Sequence, residues 1–229
     1  MLHRITHSRL LPGQVAALAG VFVILVGTFL VLLPWSTPVE HPLSLLDALF
    51  MAVSATCVTG LIVADPSTDF PLFGQLVILA LIQIGGLGYA LIATLFFLAA
   101  GRRISLWHRM LLAESLSTLD LAGLVKSAKF MVAGTLLIEA VGATILAWRF
   151  IAHDEVSGFH ALYQGIFHAV SAVNNAGFSL FSSNLLGYKD DPILLVILAV
   201  LIVMGGIGFP AIQDIVERLC GQRMRLQVA

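Results

Sequence analysis

Charged residues are scarce in this sequence: Asp, Glu, Lys and Arg together make up 11% of its 229 residues. Soluble domains average about 25% charged residues. Hydrophobic residues instead account for 59% of the chain, and its mean hydropathy is +1.00. This composition excludes an ordinary soluble domain and indicates an integral membrane protein.

Cysteine is almost absent, with only Cys57 and Cys220. Two thiols so far apart indicate neither a disulfide framework nor a CxxC metal site. The sequence also has no HExxH, GxGD or GxSxG motif, and its seven histidines do not cluster at ligand spacing. We therefore expect no enzymatic activity, no covalently bound cofactor and no nucleic-acid partner.

Four apolar runs are about long enough to cross a bilayer, which takes roughly 20 helical residues. They cover residues 15–33, 72–100, 129–151 and 193–212. The second run is over-long and should tilt or bend. Two further apolar runs, 43–56 and 159–173, are too short to cross and are typical of re-entrant helices.

The basic residues predict an orientation with both termini in the cytoplasm. In that arrangement ten of the twelve lie inside and only Arg149 and Lys189 lie outside, as the positive-inside rule requires. The inside group is Arg4, Arg9, Arg102, Arg103, Arg109, Lys126, Lys129, Arg218, Arg223 and Arg225. We expect a multi-pass protein of the cytoplasmic (inner) membrane. Acidic residues collect in the outer segments, where they could concentrate cations or simply solvate the loops.

An internal repeat is the strongest signal. Residues 50–61 align without gaps on residues 167–178, with six identities in twelve positions and an offset of 117. Further on, Gly-Gly-Leu-Gly at 85–88 aligns on Gly-Gly-Ile-Gly at 205–208. These Gly-Gly-x-Gly motifs allow close helix approach or a bend. We predict an all-α membrane protein with two parallel helix, pore loop, helix repeats, over residues 1–110 and 111–229.

The segment that follows each short helix is a candidate ion-binding site. Backbone that leaves a helix at membrane depth must have its carbonyls satisfied, and lining an ion path is one solution. The alternative is that both segments are ordinary turns packed between helices. The candidate residues are Cys57, Val58, Thr59 and Gly60 in the first copy and Asn174, Asn175, Ala176 and Gly177 in the second.

Residues 54–61, 81–88 and 167–178 resemble the Trk/Ktr family of potassium uptake membrane subunits, within the wider Trk/Ktr/HKT superfamily. The resemblance implies a potassium-channel-like architecture in which four units surround one pore and each contributes a filter glycine. Gly60 and Gly177 match the first two glycines. In related plant transporters a serine at the first position accompanies sodium preference, so Gly60 favours potassium by analogy. The expected function is potassium uptake, with the ion held by filter carbonyls.

This chain contains two units where the family has four. Either a C-terminal half is missing or a second copy completes the pore. The first alternative is favoured, because the two candidate segments differ in chemistry as specialised units of one longer chain would. The resemblance also implies a homodimer and a cytosolic nucleotide-binding regulatory subunit. The family's gate lies in the third unit, so gating is not assigned.

Glu139 lies near the middle of the third run and is the one acid at that depth. It could bind ions in a secondary transporter, or it could hold a neighbouring pore helix by hydrogen bonds. A further alternative is a non-conducting half that acts only by assembling with its complement. His168 is expected to be a packed histidine. Asn174 and Asn175 could present amides to the ion or brace the loop from behind.

Overall fold

The computed structural model describes residues 12–37, 42–88, 91, 124–154, 158–208 and 211–212. All regular secondary structure in these ranges is helical, which confirms the predicted all-α class. The helices are α1 (Pro12–Val31), α2 (Leu45–Thr56), α3 (Leu72–Leu87), α4 (Leu124–Asp154), α5 (Gly158–Val173) and α6 (Pro192–Ile207), with a 3₁₀ turn at Leu186–Tyr188.

The two short helices begin and end within two residues of their predicted bounds. Helix α2 begins after Ser44, whose hydroxyl oxygen accepts a hydrogen bond from the Asp47 backbone N–H at 3.1 Å. Helix α6 begins after Asp191, whose Oδ1 accepts a hydrogen bond from the Leu194 N–H at 3.2 Å. Both caps satisfy backbone donors that a helix start leaves free.

Helices α3 and α6 are shorter than the apolar runs in which they lie, 72–100 and 193–212. Each ends one residue before the last glycine of its Gly-Gly-x-Gly motif, where Gly88 has φ +81° and Gly208 has φ +82°. Glycine enters this left-handed region without steric cost, so it can end a helix inside an apolar run. The helical state resumes at Leu91 and at residues 211–212. The chain therefore breaks helical geometry at the Gly-Gly-x-Gly motifs, where the sequence allowed a bend.

Among the described residues, one helical stretch, Ser127–Ala152 in α4, is by itself long and apolar enough to cross a membrane. Helix α1 has 20 residues, and α3 and α6 have 16 each. Several residues used in the sequence interpretation lie outside the described ranges: Arg4, Arg9, Arg102, Arg103, Arg109, Arg218, Cys220, Arg223 and Arg225.

The helices pack into two main apolar cores. The first lies among α1, α2 and α3 and includes Met51, Ile78 and Ile82. The second lies among α4, α5 and α6 and includes Phe150, Leu194 and Leu198. Side chains of α5 also enter the first core, so α3 lies against α5 as well as its own half. This contact brings the ends of the two short helices together.

Candidate cation site

The segments after α2 and α5 have matching backbone hydrogen bonds. We call residues 57–60 the first glycine segment and residues 174–177 the second. In each, the chain closes the helix with i→i−4, i→i−3 and i→i−5 bonds, the last two forming a Schellman motif. The bonds are Cys57 N to Val53 O, Val58 N to Ala55 O and Thr59 N to Ser54 O, and Asn174 N to Val170 O, Asn175 N to Ala172 O and Ala176 N to Ser171 O.

Backbone dihedrals also match between the segments. The second residue is left-handed in both, with φ +50° at Val58 and +57° at Asn175. The fourth is the glycine, with φ +75° at Gly60 and +73° at Gly177. Asparagine tolerates the left-handed region, whereas a β-branched residue there is an outlier. The first segment thus adopts this geometry at a conformational cost that the second avoids.

The two glycines lie beside each other. A Cβ placed on Gly60 would be 2.7 Å from the Ala176 carbonyl oxygen and 3.2 Å from the Gly177 Cα. A Cβ placed on Gly177 would be 3.4 Å from the Gly60 Cα. The sequence interpretation required these glycines to meet, and the fold brings them into contact.

A glycine of α3 packs behind the first segment, and a glycine of α6 packs behind the second. A Cβ on Gly85 would overlap the Thr56 carbonyl, and a Cβ on Gly205 would overlap the Val173 carbonyl. These carbonyls belong to the last residues of α2 and α5. The predicted close helix approach is thus made at the helix termini, where each segment begins.

The Asn174 side chain points away from the segment into a buried polar cluster. Its Nδ2 donates to Glu139 Oε1 at 3.0 Å, to the Val170 carbonyl at 2.9 Å and to Gln83 Oε1 at 3.3 Å. Gln83 Nε2 in turn donates to Glu139 Oε2 at 3.2 Å. Glu139 is 6% exposed and Asn174 is 9% exposed. These contacts are those of a side chain that supports the segment from behind, the second of the two roles considered for Asn174.

Asn175 braces the second segment on its other side. With its amide oriented to satisfy its neighbours, the nitrogen donates to the Ile202 carbonyl and the oxygen accepts from the Gly206 N–H, both at 3.2 Å. Both partners belong to α6. The second segment is therefore attached through side chains to α6, to α4 and, through Gln83, to α3.

The first segment has no comparable amides. The Cys57 thiol is exposed and unpaired, and Val58 packs against the first core. Its side-chain support comes from Thr59, whose hydroxyl donates to Ser54 Oγ at 2.9 Å. The equivalent Ser171 instead donates to the Phe178 carbonyl at 2.7 Å. The buried Thr56 hydroxyl has no hydrogen-bond partner among the described residues.

His168 is a packed histidine, as expected. It is buried against Phe150 and Phe181 and both of its ring nitrogens have partners. Nδ1 lies 2.8 Å from the Gln164 carbonyl and Nε2 lies 3.1 Å from Ser179 Oγ. The histidine thus holds α5 to the segment that follows the second glycine.

The loops that follow the two glycine segments meet each other, and Ser67 Oγ and Ser182 Oγ are 2.7 Å apart. Burial raises the pKa of the nearby Asp65 carboxyl, but hydrogen bonds from Ser67 and Ser182 outweigh it and bring the pKa below its ordinary value. Asp69 is exposed in the same loop. The described part of this face thus carries acidic groups.

No group of three or more His, Cys, Asp or Glu side chains in the described ranges could hold a metal ion. Backbone carbonyl oxygens lie beside the two glycines, and such oxygens can replace the hydration shell of a monovalent cation. A family model described as "Cation transport protein", TrkH, matches residues 15–228. The chain belongs to the TrkH family of cation transport proteins. This confirms the resemblance seen in the sequence.

Relatives of this TrkH-family chain are named as potassium uptake or potassium/sodium uptake proteins. Ktr system potassium uptake protein B of Bacillus subtilis is 42% identical over 91% of this chain and 46% of its own length. Ktr system potassium uptake protein D of the same organism is 31% identical over 93% of this chain and 47% of its own. Potassium/sodium uptake protein NtpJ of Enterococcus hirae is 36% identical over 91% and 46%. The chain spans about half the length of these relatives.

Sequence reasoning missed Gln83. The signal was available, because Gln83 is a polar residue inside an apolar run and lies two positions before the first Gly-Gly-x-Gly motif. A polar group at membrane depth requires a hydrogen-bond partner. Its partner, Glu139, is 56 residues away, which sequence spacing could not reveal.

Proposed function

We propose that this chain is the N-terminal half of a potassium uptake protein and supplies two of the four segments of a selectivity filter. Carbonyls of Cys57 to Gly60 and of Asn174 to Gly177 would replace water around a potassium ion. The ion is the transported substrate, and it would move inward down its electrochemical gradient. Family membership and the names of the relatives support this substrate.

The contact between Gly60 and Gly177 carries the proposal. Two segments with the same hydrogen bonds and dihedrals meet at equivalent residues. This is the geometry expected of two neighbouring quarters of a ring. The short helices α2 and α5 both end at the segments, so their negative C-terminal poles favour a cation there.

The exposure of α6 supports the proposal of two further units. Ile82 of α3 is fully buried in a core that includes Phe167 and Phe178 of the second half. The equivalent residue of α6, Ile202, is 45% exposed and borders a cleft of about 180 Å³. A further helix would cover Ile202 by close packing, since apolar surface in a bilayer gains little from burial alone. We propose that a third unit packs against α6 as α5 packs against α3.

The partners follow from this incompleteness and from the family resemblance. The C-terminal half would complete the pore, a second copy of the complete protein would form a homodimer, and a cytosolic nucleotide-binding subunit would regulate it. The charge distribution supports a multi-pass arrangement in the cytoplasmic membrane with both termini inside. We further propose the division into repeats at residues 1–110 and 111–229.

Rubidium uptake tests the filter. Cells expressing this chain with its second half are compared for the wild type, Gly177→Ser and the control Gly187→Ser. Gly177 has φ +73° and contacts Gly60, whereas Gly187 has open space around it. We expect Gly177→Ser to reduce rubidium uptake, or its preference over sodium, by about tenfold or more, since strain and overpacking there cost roughly 1–3 kcal/mol.

Gly187→Ser should behave as wild type, and membrane abundance of each variant is measured by immunoblot. A Gly177→Ser protein with normal abundance, normal uptake and normal preference would contradict the filter. If Gly177→Ser is not retained in the membrane, Gly177→Ala answers the same question with a smaller side chain, since its Cβ would lie 3.4 Å from the Gly60 Cα.

A further inference from the structure

Glu139, Gln83 and Asn174 form a buried cluster that draws on both halves of the chain. Gln83 lies on α3, Glu139 on α4 and Asn174 at the end of α5. Both carboxylate oxygens of Glu139 accept amide hydrogen bonds, Oε1 from Asn174 at 3.0 Å and Oε2 from Gln83 at 3.2 Å. A carboxylate engaged in this way is held in one orientation by charge-assisted hydrogen bonds.

The cluster is specific to the junction between the halves. A Cβ on Gly27 of α1 would lie 2.8 Å from Leu81, and a Cβ on Gly142 of α4 would lie 2.8 Å from Leu201. Leu81 and Leu201 are equivalent in the repeat, so Gly27 and Gly142 align α1 with α4 at an offset of 115. On this alignment Glu139 corresponds to an isoleucine. That isoleucine is Ile24. Gln83 corresponds to Val203, and Asn174 corresponds to Cys57. No general requirement of the repeat therefore explains the three polar residues.

Gly86 leaves the space that the cluster needs. A Cβ on Gly86 would overlap the Asn174 side-chain oxygen. The equivalent Gly206 is loosely surrounded, since a Cβ there would be 3.8 Å from the nearest atom, Asn175 Nδ2. The tight fit at Gly86 indicates that the Asn174 amide has only one place in which to lie.

We propose that Glu139 and Gln83 are positioning residues for ion selectivity. They hold the Asn174 side chain behind the second segment and so set the distance of that segment from the first. This inference rests on the filter proposed above. It assigns Glu139 a role through the hydrogen bonds that its two oxygens accept from amides.

The test measures the ratio of rubidium to sodium uptake, normalised to membrane abundance, in the complete protein. Glu139→Leu and Gln83→Leu remove acceptors or donors, and we expect the ratio to fall by about tenfold because a buried amide loses its charged partner. In Glu139→Gln the new amide oxygen still accepts from Asn174. If the Gln83 amide turns over, its oxygen accepts from the new amide nitrogen, and only the 3.3 Å bond between Asn174 and Gln83 is lost. The ratio for Glu139→Gln should therefore stay within about twofold of wild type.

Loss of uptake in Glu139→Gln as complete as in Glu139→Leu would overturn the inference and favour a carboxylate that binds the ion. Unchanged ratios in both leucine variants would also overturn it. If a leucine variant does not accumulate, Gly86→Ala against Gly206→Ala decides: the first should lower the ratio far more than the second, and equal effects would count against the cluster.

Gly177→Ser in the same assay separates the two proposals. If Gly177→Ser leaves both rubidium uptake and the ratio unchanged, the filter itself is wrong. If Gly177→Ser changes the ratio while the Glu139, Gln83 and Gly86 variants do not, the filter stands and only the positioning role fails.

Discussion

The two glycine segments have the same backbone and different side-chain support. The second has Asn175 at the left-handed position and Asn174 in a buried cluster, whereas the first has Val58 and an exposed Cys57. Both segments follow a short helix and contain a glycine, Gly60 or Gly177. In both, a glycine of the next helix, Gly85 or Gly205, packs behind the start of the segment. The comparison indicates that these shared features determine the backbone path, and that the asparagines determine how firmly it is held.

The difference also follows the position of each segment in the molecule. The second segment lies between α3, α4 and α6, so its amides find partners on all sides. The face of the first segment that bears Cys57 has no equivalent neighbours in the described part of the chain. In the proposed four-unit ring, this face and the exposed face of α6 would be the two open faces of the chain.

The largest effect is expected where the segments agree. Gly85→Ala and Gly205→Ala each force a methyl group into the carbonyl that ends a short helix. Backbone cannot give way as a side chain can, so each variant should lose about 3 kcal/mol or more of stability. Thermal unfolding of the purified protein in detergent measures both. A large loss in one half and none in the other would contradict the claim that the backbone path is shared.

A smaller effect is expected at Asn175, where the segments differ. Asn175→Val removes two hydrogen bonds to α6 and places a β-branched residue at φ +57°. The combined loss should be about 2–3 kcal/mol. The midpoint of thermal unfolding should fall, while Asn184→Ser, at an exposed left-handed position in the outer loop, serves as the control. An unchanged midpoint would mean that the amide bonds do not hold the segment.

The smallest effect has the opposite sign. Val58→Asn replaces a β-branched residue at φ +50° by one that tolerates the left-handed region. The relief of strain is partly offset by lost contact with the first core. We expect a gain of about 0.5–1 kcal/mol in stability. A lower unfolding midpoint in Val58→Asn would show that the valine is retained for packing and that its backbone cost is negligible.

Much of the fold could be predicted from sequence because its signals are local. Apolar runs of limited length indicated α2 and α5 to within two residues, and the glycine repeats indicated which residues would be equivalent. The apolar runs 72–100 and 193–212 extend past the ends of α3 and α6, because hydropathy does not register a glycine that leaves the helix. The roles of Asn174 and Asn175 stayed open until their neighbours were known.

Sequence alone determined that the chain belongs in a membrane and repeats one unit twice, because composition, run length and motif spacing are properties of the chain itself. Tertiary structure decided that Gly60 meets Gly177, that Asn174 turns to Glu139 and Gln83, and that Ile82 is covered while Ile202 is not. These outcomes depend on which groups become neighbours after folding. A buried polar group needs a hydrogen-bond partner, and only the packed molecule determines which groups lie close enough to be that partner.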